Sequence, residues 1–226
     1  MKDLYIAFIK ELVYKSLRIL FGLFISALGT VLLINADLGL NPWNVLNQGI
    51  SLNTSLTFGQ AAQTVGLCIV LCCSFFKTVP GVGTLLNMFF IGFFVDILNQ
   101  LSLFSVPQNM IYKLLMLACG IIAFALGTCF YIRENLGAGP RDTLMVVLCK
   151  RTRFKAGTIK VGIELIVIFI GYLLGGKVGV GSLIIALTVG PVLNKVFSIF
   201  NYDVKKNHQE NIIETFNRFK SIANNI

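Results

Sequence analysis

The chain has 226 residues, of which 56% are hydrophobic and 13% charged, and its formal net charge is +9. A soluble domain carries roughly 25% charged residues, so there is too little polar surface here to cover a water-soluble globule. The basic balance would suit nucleic acid, but the cations lie between apolar stretches and at the termini, where retention of Lys and Arg on the cytoplasmic side of a membrane puts them; nucleic acid is not expected as a partner.

In chain order, the apolar stretches predict six spans, over residues 17–36, 58–76, 81–99, 113–132, 159–175 and 179–198. Each is near the ~20 residues that cross a bilayer core. The first follows Lys2, Lys10, Lys15 and Arg18 and is too long for a signal-peptide core, so it reads as a retained helix. The tail, residues 205–226, places Ile212, Phe216, Phe219 and Ala223 at helical spacing. It is expected to form a cytoplasmic amphipathic helix, lying on the membrane or docked on the loops.

Shifting the sequence by 98 residues lays residues 17–98 on 115–196 without a gap. There are 19 identities in the 82 pairs, and seven are Gly on Gly. Leu28-Gly29-Thr30 meets Leu126-Gly127-Thr128, Pro42 meets Pro140, and Gly81-Val82-Gly83 meets Gly179-Val180-Gly181. Apolar runs align by chance; this many glycines and a proline do not. The expectation is an all-α, polytopic membrane helix bundle, a single membrane domain of two three-helix repeats, one within 1–98 and one within 115–196. Three spans per copy put the second copy into the membrane upside down. Charge agrees: with both termini cytoplasmic, 17 of the 19 Lys and Arg lie inside, and Lys113 and Lys177 alone lie outside.

A repeated loop, Leu38-Gly39-Leu40-Asn41-Pro42-Trp43-Asn44 and Leu136-Gly137-Ala138-Gly139-Pro140-Arg141-Asp142, carries the main functional signal. Glycine permits a turn that other residues resist, and proline suits the first position of a helix. Short amphipathic helices are expected over Pro42–Ser51 and Pro140–Lys150, with free amino-terminal amides able to hold a polar group. Irregular backbone at membrane depth survives only if buried in protein or facing a water-filled cavity, and two such breaks in an inverted pair point to a transporter's central site. The bland alternative is that both loops merely turn the chain at the surface. Among charged residues in the spans, Glu164 and Asp96 are costly in hydrocarbon and so face an interior, a cavity or a cation; Glu164 is one turn from Lys160, which offers a simple ion pair. The candidate substrate-binding residues are therefore Gly39, Pro42, Trp43, Asn44, Asp96, Gly137, Gly139, Pro140, Arg141, Asp142 and Glu164.

The six cysteines show no paired extracellular pattern, and His208 is the only histidine. No metal site, cofactor or catalytic constellation is expected, and the chain is not read as an enzyme. The Gly-x-Gly stretches lack the Lys-Ser/Thr ending of a phosphate loop.

Leu38, Gly39, Pro42, Trp43 and Leu46, the run Leu136 to Asp142, and Gly179 to Ser182 resemble the YczE/YyaS/YitT bacterial membrane proteins, nearest to the YczE branch. The resemblance implies a bacterial cytoplasmic (inner) membrane location and names no substrate. The leading expectation is a small-solute transporter or permease with its site between the repeats. The alternative is a non-transporting membrane partner or regulator of another membrane or biosynthetic complex, using the basic loop 150–160 and the tail. The lipid bilayer is the one partner both readings require; a small solute, a homo-oligomer or a protein partner is compatible with them.

Overall fold

The computed structural model describes residues 2–154, 156–203 and 206–224. Lys155 of the basic loop and Lys205 of the tail lie outside the described residues, as do the side chains of Lys150 and Ala223. Nine α-helices are present among the described residues: α1 (Lys2–Ala36), α2 (Pro42–Asn53), α3 (Phe58–Phe75), α4 (Val82–Gln100), α5 (Met110–Ile132), α6 (Pro140–Arg151), α7 (Ala156–Leu173), α8 (Val180–Ile199) and α9 (Ile212–Asn224). Five of them, α1, α3, α4, α5 and α8, are long and apolar enough to cross a membrane. The stretch expected to be a span over 159–175 is the helix α7, which is not among those five.

The expected start of the first span is corrected. Helix α1 runs for 35 residues, about 52 Å at 1.5 Å per residue, and so extends well beyond a bilayer core of about 30 Å. The lysines at positions 10 and 15 did not end it because both residue types favour helix; Lys15 also pairs with Glu11 one turn earlier at 2.8 Å. The extension carries α9. Phe219 packs on Tyr5 and Phe8, and Arg218 reaches Glu11 at 2.7 Å and lies 4.8 Å over the Phe8 ring. The tail helix is thus docked, on α1 and, through Ile212 N donating to Pro80 O at 3.0 Å, on the loop before α4.

Helices α1 and α5 form the central pair. Gly22 packs on the backbone of Gly127 and Tyr131, and Gly29 on that of Gly120 and Phe124, so the two run antiparallel with main chains in direct contact. Lipid supplies no hydrophobic drive between helices, and close backbone packing through small residues takes its place. Helix α4 lies beside α1 through Phe24 and Phe94 at 5.6 Å, and α8 lies on α5. The short helices are too short to cross. Helix α2 packs on the end of α7, with Gly49 against Gly171 and Leu174, and α6 packs on α3, with Arg151 4.3 Å over Phe76.

Positions 98 residues apart adopt the same backbone at the turns. Asp37 and Asn135 have φ of 57° and 58°, and Gly39 and Gly137 have 114° and 115°. Each turn hydrogen-bonds across the molecule: Gly181 N donates to Leu38 O at 2.7 Å, and Gly83 N donates to Leu136 O at 2.6 Å. The turn at Asp37 is fixed by ion pairs to Lys177 and Lys113. The turn at Asn135 is fixed by the chain after α8: Tyr202 OH donates to Asn135 Oδ1 at 2.6 Å, and Gly137 N donates to Gln209 Oε1 at 3.1 Å.

The hydrogen bond from Lys177, with Lys113 adding to it, holds the Asp37 carboxyl below its ordinary value of 3.8. A lowered carboxylate pKa contributes stability that is present above the ordinary value and lost as pH falls through the lowered one. Thermal unfolding of the wild type in detergent is expected to fall more steeply below about pH 4 than that of Asp37→Asn. Parallel curves would show that these ion pairs contribute nothing measurable.

Candidate functional site

The two short helices begin alike. Pro42 and Pro140 occupy their first turns, where the missing N–H is no loss and the fixed φ is already helical. Asn41 caps α2, its side chain accepting from Asn44 N at 2.9 Å. Gly139 precedes α6 and offers no side-chain cap, and Asp142 in the first turn does not supply one. The first turns converge at the middle of the bundle, where the Arg141 guanidinium lies 5.0 Å over the Trp43 ring. This is cation–π distance, between residues 98 positions apart.

Around that stack lies a cavity of ≈ 340 Å³, walled by α1, α2, α3, α4, α5, α6, α7 and α8. Of the residues singled out in the sequence, Pro42, Trp43, Asn44, Gly139, Pro140, Arg141, Asp142 and Glu164 line it. Nearly every lining residue has its 98-offset counterpart in the lining as well: Thr30 and Thr128, Asn41 and Gly139, Gly66 and Glu164, Gly92 and Gly190. The volume is at the low end of the roughly 300–1,000 Å³ typical of small-molecule pockets.

Its polarity is divided between the walls. All four charged side chains come from α6 and α7: Arg141, Asp142, Lys160 and Glu164. Among the described residues, none of the four has an ion-pair partner within 4.0 Å, so the pairing of Glu164 with Lys160 suggested by their spacing does not form. Both side chains line the cavity. The remaining polar wall is uncharged. Asn44 is 5% exposed and Asn47 0% exposed, and Asn44 Nδ2, Asn47 Nδ2, Asn47 Oδ1 and Ser26 Oγ have no hydrogen-bond partner. A buried unpaired donor or acceptor costs about 1–3 kcal/mol, so these groups are open to hydrogen bonds from whatever fills the cavity, water included.

Three singled-out residues do not line the cavity. Gly39 and Gly137 form the turns that aim the short helices. A Cβ on Gly39 would sit 2.6 Å from Gly179 N, and one on Gly137 would sit 2.7 Å from Gly81 Cα. Asp96 is at the end of α4, where Gly59 N donates to it at 2.8 Å and Thr57 Oγ1 also donates, so it caps the start of α3. Replacing Asp96 with alanine is expected to lower stability by about 1–2 kcal/mol, the scale of a lost cap, and to leave solute binding unchanged. Thermal unfolding in detergent measures the first, and a binding change beyond that loss would place Asp96 in the site after all.

Asn47 and Lys160 were not among the candidates. Asn47 is one turn after Asn44 on the buried face of α2, so its spacing from Trp43 and Asn44 was the available signal. Lys160 was visible only as a partner for Glu164. Asn87 lines the cavity as well. No group of three or more His, Cys, Asp or Glu side chains suited to a metal occurs among the described residues, and all six cysteines are free thiols.

Comparison with known proteins places this architecture. Residues 13–198 match a family described as "Family of unknown function (DUF6198)". An uncharacterized protein of Haemophilus influenzae is 34% identical over 187 residues, covering 82% of this chain and 85% of the relative. The uncharacterized membrane protein YczE of Bacillus subtilis is 31% identical over 205 residues, covering 87% and 94%, and YyaS of the same organism is 28% identical over 186 residues, covering 78% and 88%. No solved structure matches. The chain belongs to the DUF6198 family and is a multi-pass membrane protein homologous to YczE and YyaS.

Proposed function

We propose that the protein is a small-solute transporter whose two halves, residues 17–98 and 115–196, are inverted repeats that expose the central cavity alternately to the two sides of the membrane. The observation that carries the reading is the cavity itself: a polar space at the middle of an apolar bundle, lined by residues in pairs 98 positions apart. Bilayer proteins keep unpaired charges only where they serve a cavity or a partner, and this space holds four. The reciprocal hydrogen bonds of Leu38 and Leu136 support the same two-fold plan. On this reading α7 is a sixth span. Its Val161, Leu165, Ile166, Phe169 and Leu173 are exposed large apolar side chains suited to lipid. The basic segments then hold both termini on the cytoplasmic side of a bacterial inner membrane, and no bond-making chemistry is required.

Purified protein in proteoliposomes is expected to take up at least one labelled solute from a panel of amino acids, short peptides, sugars and organic anions, saturably and above protein-free vesicles. Uptake no better than in empty vesicles across the panel counts against the reading.

A second reading, a non-transporting partner of another complex, draws on α9, where Ile213 and Phe216 remain exposed after docking on α1. It requires that removing residues 212–224 abolish function while an emptied cavity leaves it intact.

A further inference from the structure

We propose that the cavity takes a small zwitterionic peptide, at its smallest a dipeptide with free amino and carboxyl termini. This rests on the transporter reading and gives it a substrate class.

The argument starts from charge. Arg141 and Lys160 bring two cations into the cavity, and Asp142 and Glu164 bring two anions; none is neutralised by an ion pair within 4.0 Å among the described residues. Taking a charge out of water is expensive unless an opposite charge and hydrogen bonds meet it. Arg141, Asp142 and Glu164 are partly buried and Lys160 is exposed, and a solute with one net charge would satisfy one sign of this set and leave the other without a counter-ion. A zwitterion satisfies both signs and adds no net charge.

The geometry of each group assigns the ends. The Arg141 guanidinium carbon lies 5.0 Å over the Trp43 ring, and its N–H donors make no ion pair among the described residues, so they can take a carboxylate in the two-pronged manner that arginine favours. Lys160 adds a second cation at the same wall and is close enough to act electrostatically on Asp142. Glu164, one turn along α7 from Lys160, is left to receive an ammonium group.

The amide wall supplies the rest. Asn47 is wholly buried, lines the cavity, and has neither its donor nor its acceptor partnered. A group that offers both an acceptor and a donor along one edge completes such a side chain, and the second residue of an extended dipeptide does so with its amide N–H and a carboxylate oxygen. An isolated amino acid with an aliphatic side chain has no amide N–H to offer, and so leaves the Asn47 acceptor unpartnered. Two extended residues span roughly 7 Å, enough to hold the ammonium, the amide and the carboxylate apart along one solute.

The test is thermal unfolding of the purified full chain in detergent with three probes: alanylalanine, its carboxamide, which matches it in size, and its N-acetyl derivative, which is larger by one acetyl group. Alanylalanine is expected to raise the unfolding temperature, by mass action on the folded state. Each charge-deleted probe is expected to need at least tenfold more concentration for the same shift. Arg141→Gln is expected to lose discrimination against the carboxamide, and Glu164→Gln to lose discrimination against the N-acetyl form. Should either variant fail to fold, the comparison of probes on the unaltered protein stands alone. A singly charged probe that shifts unfolding as strongly as alanylalanine overturns the zwitterion assignment and leaves the solute cavity standing. If none of the three shifts it, the peptide class is overturned. In that case thiol labelling of Asn44→Cys, in a background lacking the six cysteines, separates the two claims: labelling retains the solute cavity, and no labelling from either side removes the transporter reading as well.

Discussion

Gly127→Val is expected to abolish recovery of a folded, monodisperse protein, and Gly127→Ala to lower its stability by at least the 1–3 kcal/mol of an overpacked site. The cause is the α1–α5 crossing. A Cβ at Gly127 would run into Gly22 O, Ser26 N and Ser26 Oγ, and one at Gly29 would lie 2.5 Å from Phe124 N and 2.8 Å from Gly120 O. These neighbours are mostly backbone and cannot rotate aside as a flexible side chain does. The two helices would have to separate, and with them both walls of the cavity. Gly162 on α7 is the internal control, because a Cβ there meets nothing within 4 Å. Gly162→Ala is expected to leave stability unchanged or slightly raised. Thermal unfolding and size-exclusion profiles in detergent report both. Equal tolerance at the two glycines would mean that the central crossing is looser than described.

The largest effect on activity is expected from Glu164→Gln. The substitution keeps volume and shape and removes one charge. Glu164 makes no ion pair within 4.0 Å among the described residues, so the folded state loses no partner when the charge is removed. A bound cationic group does lose one. Truncating one member of a desolvated charge pair costs about 2–5 kcal/mol, which corresponds to on the order of 30-fold or more in affinity. Flux in proteoliposomes at low solute concentration is therefore expected to fall by that factor or more, with unfolding temperature little changed. A variant that transports normally would remove Glu164 from the site. One that unfolds would give it a structural role instead.

Much of this was legible in the residues. Five spans and the short helices after Pro42 and Pro140 follow from apolar periodicity and from glycine and proline at a fixed offset, and eight of the eleven residues singled out by that offset or as charges within spans line one cavity. Those signals are local, or repeat at one distance, and so they survive translation into three dimensions. What was not legible depends on orientation. Asp96 and Glu164 look equivalent in sequence, each a lone carboxylate in an apolar stretch. Asp96 ends α4 beside the open amides of α3 and is consumed there; Glu164 turns into the cavity. Nor does periodicity tell where α1 begins, since Lys10 and Lys15 suit a helix in water as well as the edge of one in lipid. Asn47 was missed because it belongs neither to the repeated Gly-Pro turn nor to the charged residues within the spans, and only the packed structure shows that its donor and acceptor lack partners.

The central claim is that one cavity serves both sides of the membrane. Its most direct test is reagent access to Asn44→Cys, on a background with all six cysteines replaced, in right-side-out and inverted vesicles treated with a membrane-impermeant thiol reagent. Asn44 is 5% exposed and lines the cavity from α2. The account expects labelling in both orientations, with cavity solute slowing each. Labelling from one side alone, at a rate solute does not alter, would contradict alternating access and leave a one-sided pocket in its place.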